Sequence, residues 1–266
     1  MLALRVLSAL VLLPPVLAAT YYGRPYFDVM IALFAVVMAW EWEVMCRGRF
    51  TLAGGGLALA LLAGTGMLAT PWPLLAWGML VIGGGLLAIW GAGEQRNRAR
   101  PVRWWLAAGV VYLGVPLVCL VDLRSGAGLE TVAWAFLVVW ATDIGAYAAG
   151  RLVGGPLLAP TISPKKTWSG AIGGVLAAVA VGYGAANVLG MPSVTVLLLA
   201  SGGVSVVSEI GDLLESGMKR HFGVKDSGNI LPGHGGVLDR VDGLLTAVPA
   251  VALGVWVAGG GIVLWR

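Results

Sequence analysis

Charge is what this sequence has least of. Asp, Glu, Lys and Arg make up 11% of its 266 residues, against roughly 25% in an average soluble domain, which excludes an ordinary water-facing globule. Cysteine is nearly absent. Cys46 and Cys119 are the only two, too few for a disulfide scaffold or a cysteine-based zinc site. In the topology argued below they fall toward opposite membrane faces, beyond the roughly 4.4–6.8 Å Cα separation a disulfide requires. No GxxxxGK[ST] phosphate loop occurs, and the sequence pattern leads us to expect no strand ahead of the glycine cluster "GAIGGVLAA", so the common nucleotide-binding folds are poor alternatives.

What is present is hydrocarbon. The chain is 59% hydrophobic, with a mean hydropathy of +0.89. Apolar runs of membrane-spanning length recur near 4–22, 27–45, 52–70, 73–92, 104–123, 130–150, 168–190, 193–214 and 243–264. They predict an all-α, polytopic integral membrane protein with about nine transmembrane helices. The opening "MLALRVLSALVLLPPVLAAT" imitates a signal peptide, but its apolar run exceeds the usual 7–15 residues, and it reads as an uncleaved first helix.

Placing the N-terminus in the cytoplasm puts 14 Lys and Arg residues inside. Only three, Arg24, Arg124 and Arg266, then lie outside. This positive-inside bias predicts a cytoplasmic N-terminus and an outside C-terminus. The net charge of +4 then reflects topology and gives no reason to expect a nucleic-acid partner. The basic stretch "GEQRNRARPVRWW" reads as an orientation signal. Trp72, Trp104, Trp105 and Trp265 fall at predicted span ends, as interface anchors do. The small residues of "GAIGGVLAA" suit close helix packing.

The chain reads as a single membrane domain, 1–266, with apolar scaffold helices over 1–125 and a catalytic half over 126–266. Six of its thirteen acids lie between 209 and 242: Glu209, Asp212, Glu215, Asp226, Asp239 and Asp242. His221, His234, Lys219, Arg220, Lys225 and Arg240 join them. Glu209, Asp212 and Ser216 share one helical face. Asp143 in "WATDIGAY" lies at membrane depth, where a charge costs roughly 2.5–3.5 kcal/mol on insertion scales and calls for a partner. Carboxylates mixed with bases fit a phosphorylated substrate held by basic groups and carboxylate-bound Mg²⁺. Gly235 and Gly236 in "LPGHGG" would let backbone N–H groups approach a phosphate. A second polar island, "TISPKKTWSGAIGG", offers Ser163, Lys165, Lys166 and Thr167. A loop of mixed charge is ordinarily a solvated connection, but acids that reach into the spans argue against that here.

Residues 216–242, "SGMKRHFGVKDSGNILPGHGGVLDRVD", resemble the defining motif of phosphatidate cytidylyltransferases, the CDP-diacylglycerol synthases. Ser216, Lys219, Arg220, Lys225, Asp226, Pro232, His234, Gly235, Gly236, Asp239, Arg240 and Asp242 occupy matching positions. "SPKKTW" and "DIGAY" resemble upstream family elements. The first half matches only in length and hydropathy, and Ser169 stands where relatives often carry Glu or Gln. The resemblance implies transfer of a cytidylyl group from CTP to phosphatidic acid, giving CDP-diacylglycerol and pyrophosphate. It implies metal binding by Asp212 and Asp239, with a second cation left open. Lys219, Arg220, Lys225 and Arg240 would clamp phosphates, and Lys166 would hold the lipid phosphate. Asp226, His234 and Asp242 would orient the clamp or bind nucleotide. A bacterial-type cytoplasmic membrane with the active site on its cytoplasmic face is expected, and a homodimer is left open. A polyprenol kinase-like enzyme and a transporter are the alternatives. The transporter fits poorly, because the charges gather at one face of one half.

Overall fold

The computed structural model describes residues 2–70, 72–90, 102–191, 194–231, 233 and 235–262. Among them are nine α-helices: α1 (Leu2–Tyr22), α2 (Tyr26–Arg47), α3 (Leu52–Met67), α4 (Leu75–Trp90), α5 (Val102–Asp122), α6 (Gly128–Leu152), α7 (Trp168–Val188), α8 (Thr195–Phe222) and α9 (Leu238–Ala258). Each expected apolar run corresponds to one of them. The exception to all-α is a short antiparallel hairpin, β1 (Leu157–Ala159) with β2 (Ser163–Thr167), which pairs Leu157 with Thr167 and Ala159 with Ser163.

Among the described residues, five helical stretches are long and apolar enough to cross a membrane: Tyr26–Arg47, Trp104–Leu152, Trp168–Val188, Thr195–Phe222 and Leu238–Ala258. Leu10–Tyr22, Leu52–Met67 and Leu75–Ile89 are apolar but shorter. The Trp104–Leu152 stretch contains α5, a π-helical turn at Leu123–Ala127 and α6. Gly128 has φ of 89° there, a left-handed conformation that a continuous right-handed helix cannot contain.

The chain forms two compact units. One comprises residues 1–122 and 222–241, the other 123–221 and 242–266. In the first, Phe27, Ile31, Met38, Trp42, Leu57 and Leu61 are almost wholly buried. Trp42 Nε1 donates to the Trp105 carbonyl at 2.9 Å, and Trp105 meets Phe222 edge-on at 4.9 Å. Trp105 is therefore part of a packed aromatic cluster and not a plain interface anchor, whereas Trp72 and Trp104 are exposed. Trp265 lies outside the described residues. Helix α2 is less apolar inside than its hydropathy suggests, because Glu41 and Glu43 are both fully buried. Glu43 fastens the start of α3, accepting from Thr51 N at 2.7 Å and Thr51 Oγ1 at 2.6 Å. Arg47 offsets its charge at 3.6 Å. Cys46 and Cys119 are both buried free thiols.

In the second unit, α6 packs along α7 through small residues. A Cβ on Gly173 would collide with Ala149 and approach the Gly145 carbonyl at 3.0 Å, so these backbones meet at a distance only glycine permits. The packing role expected for "GAIGGVLAA" is what α7 shows. Hydroxyls link α8 to its neighbours. Trp134 Nε1 donates to Ser201 Oγ at 3.0 Å, Thr142 Oγ1 to Ser205 Oγ at 2.9 Å, and Thr246 Oγ1 to the Val207 carbonyl at 2.9 Å.

Helix α8 runs eight residues past its expected end at 214, so Glu215, Ser216, Lys219 and Arg220 are helical and not in a loop. Lys219 Nζ lies 2.9 Å from Glu215 Oε2, one turn away, with both side chains buried. Breaking such a pair from one side strands a charge and costs roughly 3–5 kcal/mol, whereas replacing both partners by apolar groups is often near neutral. Lys219→Leu is therefore expected to lower the thermal unfolding midpoint in detergent by several degrees. Glu215→Leu/Lys219→Leu is expected to recover most of that loss. A single variant as stable as wild type would show that the pair is not buried as described.

Candidate active site

The second unit gathers one set of the expected residues. The β1–β2 hairpin leads directly into α7, whose first turn is capped by Thr167, Oγ1 accepting from Gly170 N at 3.1 Å. Thr167, a hydroxyl of the second polar island, is thus a helix cap. Ser169 also serves the backbone here. Its hydroxyl donates to the Gly154 carbonyl and lies 3.0 Å from Thr167 Oγ1, a local role at the position where the motif departs from its relatives.

The hairpin presents Lys165 to solvent, leaves Ser163 half-buried and turns Lys166 onto α8. Lys166 Nζ lies 2.6 Å from Asp212 Oδ2, and Ser216 Oγ donates to Asp212 Oδ1 at 3.4 Å. Glu209, one turn earlier, is close enough for Lys166, Asp143 and Asp212 to act on its charge. Asp143 is exposed on α6, so its position along the span does not bury it. Asp242 on α9 is half-buried and feels both Asp212 and Glu215. Arg220, also exposed, directs Nε at the Ile162 carbonyl between the two strands, 3.4 Å away. The charges form a graded cluster: Asp212 and Lys166 at the hairpin, then the buried Glu215–Lys219 pair, which starts one turn nearer the C-terminal end of α8. Beside it lies an apolar groove of about 410 Å³, whose lining includes Trp168, Ile172, Val206, Glu209, Ile210 and Leu213.

The first unit holds the rest of the motif. The connection 223–237 leaves Lys225 and Asp226 exposed, as is Arg240 on α9. Leu231 N bonds the Gly235 carbonyl at 2.9 Å and closes the glycine turn. Asp239 Oδ2 accepts from Ser227 N at 2.9 Å, Ser227 Oγ at 3.0 Å and Gly236 N at 2.8 Å. Gly236 is therefore a backbone donor to a carboxylate in this structure. His234 and Pro232 lie outside the described residues.

Sequence reasoning missed Glu41 altogether. From α2 it accepts Val237 N at Oε1 and Leu238 N at Oε2, both at 2.8 Å, with Ser227 Oγ 3.4 Å from Oε2. These are the first N–H groups of α9, which have no partner within their own helix, and a carboxylate there also matches the helix dipole. The signal was available. Two acids inside "AWEWEV" violate an otherwise apolar run.

Among the described residues, no three His, Cys, Asp or Glu side chains form a metal-holding group. Mg²⁺ does not need one, because it commonly takes one or two carboxylates and completes its shell with phosphate oxygens and water. Asp212 and Asp239, each within its own unit, are hard oxygen donors, Asp212 beside Lys166 and Ser216 and Asp239 with Oδ2 already taking three donors.

The cytidylyltransferase family pattern matches residues 3–258. A phosphatidate cytidylyltransferase of Brucella suis biovar 1 is 42% identical over 258 residues, covering 94% of this chain and 91% of that protein. That of Brucella melitensis biotype 1 matches to the same extent. One from Staphylococcus epidermidis is 46% identical over 141 residues, 53% of this chain and 54% of its own. The resemblance first visible in residues 216–242 thus extends through the helices before them, and the chain belongs to the cytidylyltransferase family.

Proposed function

We propose that this enzyme transfers the cytidylyl group of CTP to phosphatidic acid, producing CDP-diacylglycerol and pyrophosphate. Beyond family membership, the observation that carries the reading is the Lys166–Asp212 pair at 2.6 Å. A phosphate monoester and a divalent cation would each take one member of it, the anion engaging the ammonium and the metal the carboxylate. The apolar groove beside Glu209 supports an acyl chain lying close to that phosphate.

The reaction needs no side-chain nucleophile. A phosphate oxygen of phosphatidic acid attacks the α-phosphorus of CTP and forms the new P–O bond. The bond from the α-phosphorus to the α,β-bridging oxygen breaks, and its electron pair leaves with pyrophosphate. The protein's task is alignment and charge neutralisation. Mg²⁺, for which we propose Asp212 and Asp239, would supply positive charge to the phosphate oxygens. Lys166 would hold the lipid phosphate. Lys225, Asp226, Arg240 and the turn at Gly235 and Gly236 would serve the nucleotide, with Arg220 nearby in sequence. Lys219 is assigned to the Glu215 pair and not to a phosphate. We further propose that all nine helices cross the cytoplasmic membrane of a bacterial-type cell, with the N-terminus and the connection 223–237 inside, where CTP is available. The 14-to-3 charge asymmetry supports this.

Three outcomes test the proposal. In mixed micelles, Asp212→Asn and Asp239→Asn should each abolish Mg²⁺-dependent pyrophosphate release from CTP while the protein stays folded. Near-normal turnover in both would exclude them as metal residues. Lys166→Ala should raise the KM for phosphatidic acid by roughly one to two decades, the equivalent of a lost charge-assisted contact of about 1.5–3 kcal/mol. The KM for CTP should change far less, and single-turnover rates should accompany both titrations. A change in the KM for CTP alone would move Lys166 to the nucleotide. Third, Asn229→Cys in a Cys46→Ser/Cys119→Ser background should resist an impermeant thiol reagent on intact cells and react after permeabilisation. Labelling of intact cells would invert the topology.

A further inference from the structure

We propose that Glu41 is a positioning residue for the nucleotide-binding connection, acting from the scaffold half of the sequence. The inference rests on the cytidylyl-transfer reading above and deepens it. Glu41 is wholly buried on α2, and its carboxylate takes three donors from one short segment: Ser227 Oγ, Val237 N and Leu238 N. These donors bracket the glycine turn and end at the first residue of α9. Asp239 takes Ser227 N, Ser227 Oγ and Gly236 N. Ser227 is thus shared between two carboxylates, one on α2 and one on α9.

This geometry has a sequence consequence. A Cβ at Gly236 would lie 2.6 Å from Glu41 Oε1, and one at Gly228 would lie 2.9 Å from the same oxygen. Both glycines face Glu41 at distances real Cβ atoms do not adopt, so the connection is folded around this carboxylate. A buried charge is costly unless it is fully hydrogen-bonded, and here the bonds come from the connection and the start of α9. Glu41 therefore fixes the register between Lys225, Asp226, the turn and Asp239 without touching substrate.

The test uses full-length enzyme in mixed micelles, wild type beside Glu41→Gln and Gly236→Ala. Glu41→Gln should raise the KM for CTP about tenfold or more and leave that for phosphatidic acid within about threefold. Gly236→Ala should do the same, and the double variant should be little worse than the poorer single. A merely structural Glu41 would leave fewer folded molecules and lower Vmax, shifting neither KM. A second readout needs no turnover. Val237→Cys, in the Cys46→Ser/Cys119→Ser background, replaces a buried side chain, and its reaction with a thiol reagent should speed up about tenfold when Glu41→Gln is added. Unchanged reactivity, or raised reactivity with an unchanged KM for CTP, overturns the proposal. Should Glu41→Gln fail to fold, Glu41→Asp keeps the charge but shortens its reach to Val237 N and Leu238 N, and should give the same pattern at about threefold. Wild type that releases no pyrophosphate from CTP would sink the proposed activity, and the thiol readout would still decide whether Glu41 holds the loop.

Discussion

A polar group within a bilayer has no water to turn to, and each must find its partner inside the protein. That constraint explains most of the side-chain hydrogen bonds here. Hydroxyls of Thr142, Ser201, Ser205 and Thr246 bond between helices, and Glu43 is satisfied by Thr51 and Arg47. Glu215 takes Lys219 from its own helix. Glu41 is the most demanding case, an acid that pairs with no cation among the described residues and is held by neutral donors at a helix start. In an environment that penalises every unsatisfied group, these bonds also select one arrangement of the chain, since alternatives leave charges bare.

Within that setting the two polar sets are built differently. Around Asp212 the charges alternate in sign and change partners along one helix, which suits a place where a phosphate and a metal ion enter and leave. Around Asp239 the carboxylates of Asp239 and Glu41 accept from backbone and hydroxyl donors, which orders the loop that carries Asp239. The distinction explains why Lys219, beside Arg220 in sequence, does not share its exposure. The helix turns Lys219 inward toward Glu215 and leaves Arg220 near the hairpin.

The helices were legible because long uninterrupted apolar runs report apolar helices directly. Helix ends were not, since hydropathy falls where polar residues begin while the backbone continues. At α8 the polar residues keep i,i+4 partners, so the helix runs on to Phe222. The motif's chemistry could be read from residue types, but its support could not. Glu41 lies 186 residues from Ser227, and no local pattern joins them. Insertion cost, the reasoning that drew attention to Asp143, applies more strongly to Glu41. Asp143 proved exposed and Glu41 buried, because depth along a helix does not say which way a side chain faces.

The long separation between Glu41 and its donors also sets an order of events during synthesis. Helix α2 is made early, yet Leu238, whose N–H meets Glu41 Oε2, follows 197 residues later. At about 5–20 residues per second, the carboxylate waits roughly ten to forty seconds before its partners exist. Through that interval the nascent chain carries an acid whose final bonds are unmade, in a segment already long and apolar enough to leave the translocation channel. Assembly of the first unit is therefore finished by a short segment made only after residues 123–221 of the second unit, and a ribosome that stalls before residue 238 leaves behind a first unit marked by an unsatisfied Glu41.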